Sequence, residues 1–150
     1  MNIRWQLSPF HDLKADEVYQ LLRLRSEVFV VEQQCVFLDM DNKDQQCWQL
    51  LGWKGSSLAA TSRISPPGLL FEEVSIGRVV SSPKFRGEGI GRQLMEQSIS
   101  SAISLFGRQP IRIGAQLYLL RFYESLGFSA QGAVYLEDGI EHVEMVLQLS

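Results

Sequence analysis

Arg86-Gly87-Glu88-Gly89-Ile90-Gly91-Arg92 carries the clearest chemical signal in this 150-residue chain. Three glycines alternate between a β-rich run, Val74 to Val80, and an amphipathic stretch that begins near Gln93. A strand, a glycine turn and a helix start together form a cradle for pyrophosphate. The first N–H groups of a helix lack intrahelical partners, and the helix dipole adds partial positive charge there. Glycines permit positive φ and let the backbone come close to phosphate oxygens. Arg86 adds a planar cation. The same glycines also suit a tight turn placed for geometry alone, and glycine patterns often match by chance.

The spacing narrows the chemistry. A dinucleotide-binding turn runs G-x-G-x-x-G, with an acidic residue about twenty positions on at the end of a second strand. Here the segment at that distance, Ile103 to Phe106, reads as helix. A P-loop needs G-K-[ST] after its glycines, and none follows. What remains, R-x-x-G-x-G after Pro83, resembles the coenzyme A loop of the GCN5-related N-acetyltransferase (GNAT) superfamily. Phe122-Tyr123-Glu124-Ser125-Leu126-Gly127-Phe128 is similar to the F-Y-x-x-x-G-F signature of the same superfamily, in the family's order and separation. The first half resembles the ElaA-type subgroup at Leu24 to Cys35, at Asp39-Met40-Asp41 and at Ile76-Gly77-Arg78-Val79. Gly114-Ala115-Gln116 and Tyr135-x-Glu137-Asp138-Gly139-Ile140-x-His142 extend that likeness. The subgroup often has a histidine where Gln49 stands, so no histidine base is assigned there.

The resemblance implies acetyl-CoA as cosubstrate, lying between two parallel strands that splay apart, here Glu73–Ser81 and Ile111–Ala115. Backbone groups around Val79, Val80 and Ser81 would then serve the pantetheine amides, and one N–H would polarise the thioester carbonyl. Residues 86–92 would hold the pyrophosphate. Tyr123 takes the position of the family's general acid for the departing thiolate; a core tyrosine on an amphipathic helix fits the same spacing. Glu73 lies where histone acetyltransferases of the superfamily carry a glutamate base. A solvated strand end is the plainer account of it, and its neighbour Glu72 blurs the register.

Arg25 and Glu32 raise a separate question. Positions 18, 21, 22, 25, 28, 29 and 32 share one helical face, mostly apolar, and a charge on such a stripe is costly unless paired or turned to a cavity. Either they form a structural ion pair or they line an acceptor pocket. Arg78 poses the same question within a strand. Gln116, at the mouth of the second splayed strand, and His142, beside the Glu137-Asp138-Gly139 turn, complete the candidate acceptor contacts. An exposed hairpin tip would look the same.

The elements that must position these residues follow from periodicity and turn chemistry. The order is β-α-β-β-β-α-β-α-β-β: a single α/β (α+β) domain, 1–150, with a mixed twisted sheet flanked by helices, as the GNAT fold implies. The helix over Ala15 to about Val31 is followed by a polar, acidic loop through Gln46. Net charge is −3, which excludes a nucleic-acid-binding field. No apolar run suits a membrane span, and the N-terminus is no signal peptide, so a cytoplasmic location is expected. Two cysteines and two histidines lack ligand spacing, so no metal is implied, and the thiols read as free. The expected activity is N-acetyl (short acyl) transfer from acetyl-CoA to a primary amine, small molecule or peptide, by direct attack in a ternary complex. A non-catalytic CoA-binding regulatory domain is the alternative; an acyl-homoserine-lactone synthase fits less well. The sequence does not fix the oligomeric state, and a homodimer stays open.

Overall fold

The computed structural model describes residues 2–149. A seven-stranded sheet runs β1-β2-β3-β4-β5-β7-β6. The strands are β1 Arg4–Pro9, β2 Trp48–Lys54, β3 Ser57–Ser65, β4 Val74–Ser81, β5 Ile111–Gln116, β6 Ser129–Glu137 and β7 Ile140–Leu147. Neighbours pair antiparallel except β4 and β5, which are parallel. The element order agrees with the sequence reading and strand ends lie within about two residues of it, but the helix expected over Ala15 to about Val31 is α-helical only to Arg25. Pro9 closes β1, and the turn that follows begins as a 3-10 segment at Phe10–Asp12.

Helix α1, Ala15–Arg25, starts where the Glu17 carboxylate accepts the Lys14 backbone N–H at 2.8 Å. It continues without a break into a π-helical segment, Ser26–Glu32. The wider turns show in the bonds Gln33 N–H to Val28 O (3.1 Å) and Cys35 N–H to Val30 O (3.0 Å). Leu21, Leu24 and Val28 pack from this helix onto Leu51, Trp53 and Val80 of the sheet. Helix α2, Ile90–Phe106, lies against the opposite face and buries Ile90, Leu94, Met95, Ser98 and Ala102. Leu94 and Met95 are wholly enclosed, and each such side chain contributes about 1.5–3 kcal/mol. Short helix α3, Leu120–Ser125, joins the same layer through Tyr123, and Phe128 follows it into the core. The sheet is therefore covered by α1 and loop 33–46 on one face and by α2 and α3 on the other.

Two departures from regular strand geometry create the site. β4 pairs with β5 only at Val74–Ile111 and Ser75–Arg112, so beyond Ser75 the two strands separate. Over the same stretch the register with β3 shifts: Thr61 faces Val80 while Arg63 faces Gly77, which leaves one β3 residue opposite two on β4. Arg78 within that bulge has φ +46°.

Candidate active site

The bulge reverses the alternation of β4. Ile76 packs in the cluster under α2, and in an unbroken strand Arg78 would share its face. Instead Val79 packs against that cluster, Val80 turns to the α1 face, and Arg78 reaches loop 33–46. The edge of β4 that leaves β5 carries backbone groups without a ladder partner across the gap. Val79, Val80 and Ser81, the expected contacts for the thioester end, lie on this stretch, with Ser81 and Val80 still paired to Ala60 and Thr61 of β3.

β4 leads through a short 3-10 segment, Pro83–Phe85, into the glycine loop. Gly87 and Gly89 have φ of +87° and +75°, the left-handed region that glycine enters at little cost, and Gly89 caps α2. A Cβ at Gly91 would meet nothing within 4 Å, so its lack of a side chain leaves the first turn of the helix open to an approaching group. Glu88 is tied to Lys54, whose ammonium lies 4.6 Å from the Phe85 ring centroid. Arg86 makes a two-point ion pair with Glu32 at the end of the π segment. Arg92 bonds Ser125 at 3.0 Å and so links α2 to α3. Two clefts border this loop: one of about 410 Å³ between α2 and α3, starting at Arg92, and one of about 330 Å³ between α1 and Ser82, Lys84 and Phe85. Neither cleft is lined by β5 residues.

Tyr123 stands on the α2/α3 side in the cluster that contains Met95 and Ala115 of β5. It is 6% exposed and lies edge-on to the Phe122 and Phe128 rings at 5.2 and 6.0 Å. Burial pushes its phenol up to about 12, so it holds its proton at any physiological pH.

The opposite face at the same end of the splay is polar. Gln116, the last residue of β5, faces His142 on β7, which in turn faces Tyr135 on β6. The Tyr135 ring stacks on His142 at 5.7 Å, and its hydroxyl lies over Gly114, where a Cβ would come within 3.0 Å. His142 Nδ1 is 2.7 Å from the Ile140 carbonyl. A carbonyl can only accept, so Nδ1 carries a proton and the neutral ring keeps its lone pair on Nε2, 3.6 Å from Glu137. Gln33 Nε2 donates to Gln116 Oε1 at 3.2 Å and the Cys35 thiol donates to the Asp138 carbonyl at 3.0 Å, which brings loop 33–46 to this mouth.

Arg25 and Glu32 do not line a pocket together. Arg25 is 0% exposed, and its guanidinium donates to Asp39 Oδ2 (2.7 Å) and to Asp44 Oδ1 and Oδ2 (2.8 and 3.2 Å). The π segment breaks the 3.6-residue period after Arg25, so Glu32 rotates outward and pairs with Arg86, whose hydrogen bonds lower its pKa. Arg63 binds Asp41 (2.8 and 2.9 Å) and Asp44 (3.0 Å). Arg78 sets Nε 2.9 Å from Asp39 Oδ1 and donates from Nη2 to the Asp39 carbonyl at 2.9 Å. The Nε contact is close but off-line, since neither atom meets hydrogen-bond geometry; we read it as charge contact rather than as a hydrogen bond. Burial works against the charge on Asp41 and Asp44, but their arginine bonds outweigh it: Asp44 is lowered and Asp41 falls to about 2. This network of three arginines and three aspartates was half visible in the sequence. The acidic loop and the misplaced cations could be read, but their pairing could not.

Glu73 is also placed away from a basic role. Arg112 holds both its oxygens, at 3.1 and 2.9 Å, and these bonds lower its pKa. It sits at the closed end of the splay, six residues before Val79, or roughly 20 Å at about 3.3 Å per residue. Among the described residues no metal-holding cluster occurs, and both thiols are free.

A sheet opened between parallel strands 4 and 5, with a glycine cradle at the mouth, defines the acyl-CoA N-acyltransferase fold. The Acetyltransferase (GNAT) domain family matches residues 25–149, and the chain belongs to that family. It is 40% identical to protein ElaA of Escherichia coli, across 98% of this chain and 97% of that one. A UPF0039 protein of Synechocystis is 37% identical over 99% of this chain and 97% of its own length. Among solved structures, an acyl-CoA N-acyltransferase from Pseudomonas aeruginosa superposes with a TM-score of 0.92 at 39% identity, covering 97% of this chain and 99% of that chain. Escherichia coli ElaA gives 0.91 at 39% identity and the same coverage. A GNAT acetyltransferase from Elizabethkingia anophelis with acetyl-CoA bound shares the fold at 19% identity, with a TM-score of 0.66 and coverage of 99% of each chain. No helix among the described residues is long and apolar enough to cross a membrane.

Proposed function

We propose that this protein transfers an acetyl or other short acyl group from acetyl-CoA to a primary amine by direct attack. The observation that carries the reading is the parting of β4 from β5 after Ser75, at a strand that is followed, after one 3-10 turn, by the glycine loop and α2. The loop 86–92 binds the pyrophosphate through backbone N–H groups. β4 offers the backbone around Val79 to Ser81 to the pantetheine and to the thioester oxygen. Solved relatives of this fold hold CoA or acetyl-CoA, which supports that placement.

The two faces of the splay then divide the work. The amine enters from the Gln116–His142 side, and its lone pair attacks the thioester carbon. A β4 N–H stabilises the oxyanion as the C–N bond forms. His142 Nε2, directly or through water, takes the proton that the amine nitrogen must lose. As the C–S bond breaks, Tyr123 donates its proton to the leaving sulfur from the α3 side and regains one from solvent. A phenol with its pKa pushed up to about 12 is a donor that cannot be lost to ionisation beforehand.

Glu137, 3.6 Å from His142, and Asp138 at the hairpin turn place carboxylates near the same mouth and favour a cationic acceptor. The test is to incubate the protein with acetyl-CoA and a panel of amines, amino acids and peptides, reading free thiol and acetylated product by mass spectrometry. Acceptor-dependent thiol release is expected. Tight CoA binding with no turnover on any amine would instead mark a regulatory CoA-binding domain.

A further inference from the structure

We propose that Arg78 and its aspartate anchors are the positioning device that makes the β4 bulge, and with it the strand geometry that receives the thioester. The proposal rests on the acyl-transfer reading for its kinetic arm only.

The argument begins with the alternation of β4. Val74 and Ile76 pack in the apolar cluster under α2, and the next residue on that face of a regular strand is Arg78. A regular strand would drive a guanidinium into that apolar cluster. The other face offers three aspartates. Arg78 turns to them by taking φ +46°, and the strand takes up the extra residue against β3.

The anchor is itself fixed. Asp39 is held by Arg25, Asp41 by Arg63, and Asp44 bridges Arg25 and Arg63. Arg25 and Arg63 are enclosed; Arg78, 24% exposed, is the arm of the network that reaches the reaction strand. Loop 33–46 is thus held beneath the sheet at 39, 41 and 44 by contacts independent of Arg78. The bulge reverses the face of Val79 and Val80, which are the residues that flank the opened strand edge.

Three substitutions separate this from a merely structural role. Arg78→Val removes the charge that a regular strand cannot bury and is free to pack under α2, so the strand should regularise. Arg78→Gly also removes the side chain but accepts φ +46° at little cost, so the bulge can persist. Asp41→Asn, at a site 29% exposed whose Oδ2 lies 3.5 Å from Arg78 Nη2, weakens the anchor while leaving Arg25 paired with Asp39 and Asp44. Amide hydrogen exchange at Val79, Val80 and Ser81 in the free protein reads the strand without any need for turnover. We expect the exchange pattern there to change by tenfold or more in Arg78→Val, and by less in Arg78→Gly. On an identified amine, kcat should fall at least tenfold in Arg78→Val and less in Arg78→Gly and Asp41→Asn, in the same order as the exchange data. Exchange unchanged in folded Arg78→Val would overturn the proposal. So would equal kcat losses in Val and Gly variants that track their melting temperatures. If no amine is ever acetylated, the acyl-transfer reading fails while the exchange experiment still decides the origin of the bulge.

Discussion

Replacing Arg25 with glutamine tests whether the cation on the first helix is structural. Its side chain is fully enclosed and spends four contacts of 2.7 to 3.3 Å on Asp39 and Asp44. Removing one partner of a buried ion pair typically costs about 3–5 kcal/mol, because the other charge stays buried. Here Asp39 keeps Arg78 and Asp44 keeps Arg63, so the lower end applies, about 3 kcal/mol. For a chain of 150 residues each kcal/mol moves the melting temperature by about 2–4 °C, which gives a fall of roughly 6–12 °C near pH 7. Acid should shrink that gap. Asp41 and Asp44 ionise below the ordinary 3.8 in the folded protein, Asp41 at about 2. Their contribution is therefore present above about pH 4 and is lost as pH falls through the folded values. In Arg25→Gln, Asp44 loses its strongest opposing bond, burial reasserts itself, and its folded pKa rises. The variant then has less to lose on acidification. Calorimetric melts of both proteins from pH 7 to pH 3 measure this directly. A fall of under 2 °C at pH 7, or a gap that stays constant to pH 3, would refute the reasoning.

Tyr123→Phe keeps the ring packed between Phe122 and Phe128 and removes only the donor, so kcat should fall by about 10² to 10⁴ with CoA affinity unchanged, by steady-state kinetics and calorimetry. Gly91→Ala adds a methyl group to open space in the free protein and should leave the melting temperature within 2–3 °C, on the order of the ±0.5 kcal/mol usual for surface changes, yet weaken CoA binding. Gly89→Ala should weaken both, because alanine at φ +75° is strained by about 1–3 kcal/mol. His142→Gln keeps a hydrogen-bonding side chain opposite Gln116 and loses the imidazole lone pair. Turnover should drop by about 10² or more while CoA affinity holds, and a wild-type rate would move the proton's destination to water alone.

The local backbone was legible without coordinates because it is written in short spacings. Glycines at 87, 89 and 91 before a periodic helix specify a tight turn through backbone conformation that other residues disfavour, and φ of +87° and +75° at the first two is the conformation found. Tyr123 and Phe128 were readable in the same way, as a short helix with its glycine stop. The element order followed from periods of two and 3.6, which each segment expresses by itself. What the chain did not disclose was the partner of each charge. Arg25, Arg63 and Arg78 find Asp39, Asp41 and Asp44 over separations of 14 to 39 residues, set by how loop 33–46 settles under the sheet. A π segment of seven residues, invisible to a pattern of 3.6, turned Glu32 away from Arg25 and gave it to Arg86. Glu73 looked like a base by its distance along the chain and became Arg112's partner across the closed end of the splay. Side-chain type and local spacing fix what a residue is able to do; tertiary packing decides what stands beside it, and in a low-dielectric interior the neighbour decides whether a charge is a structural tie or a working group.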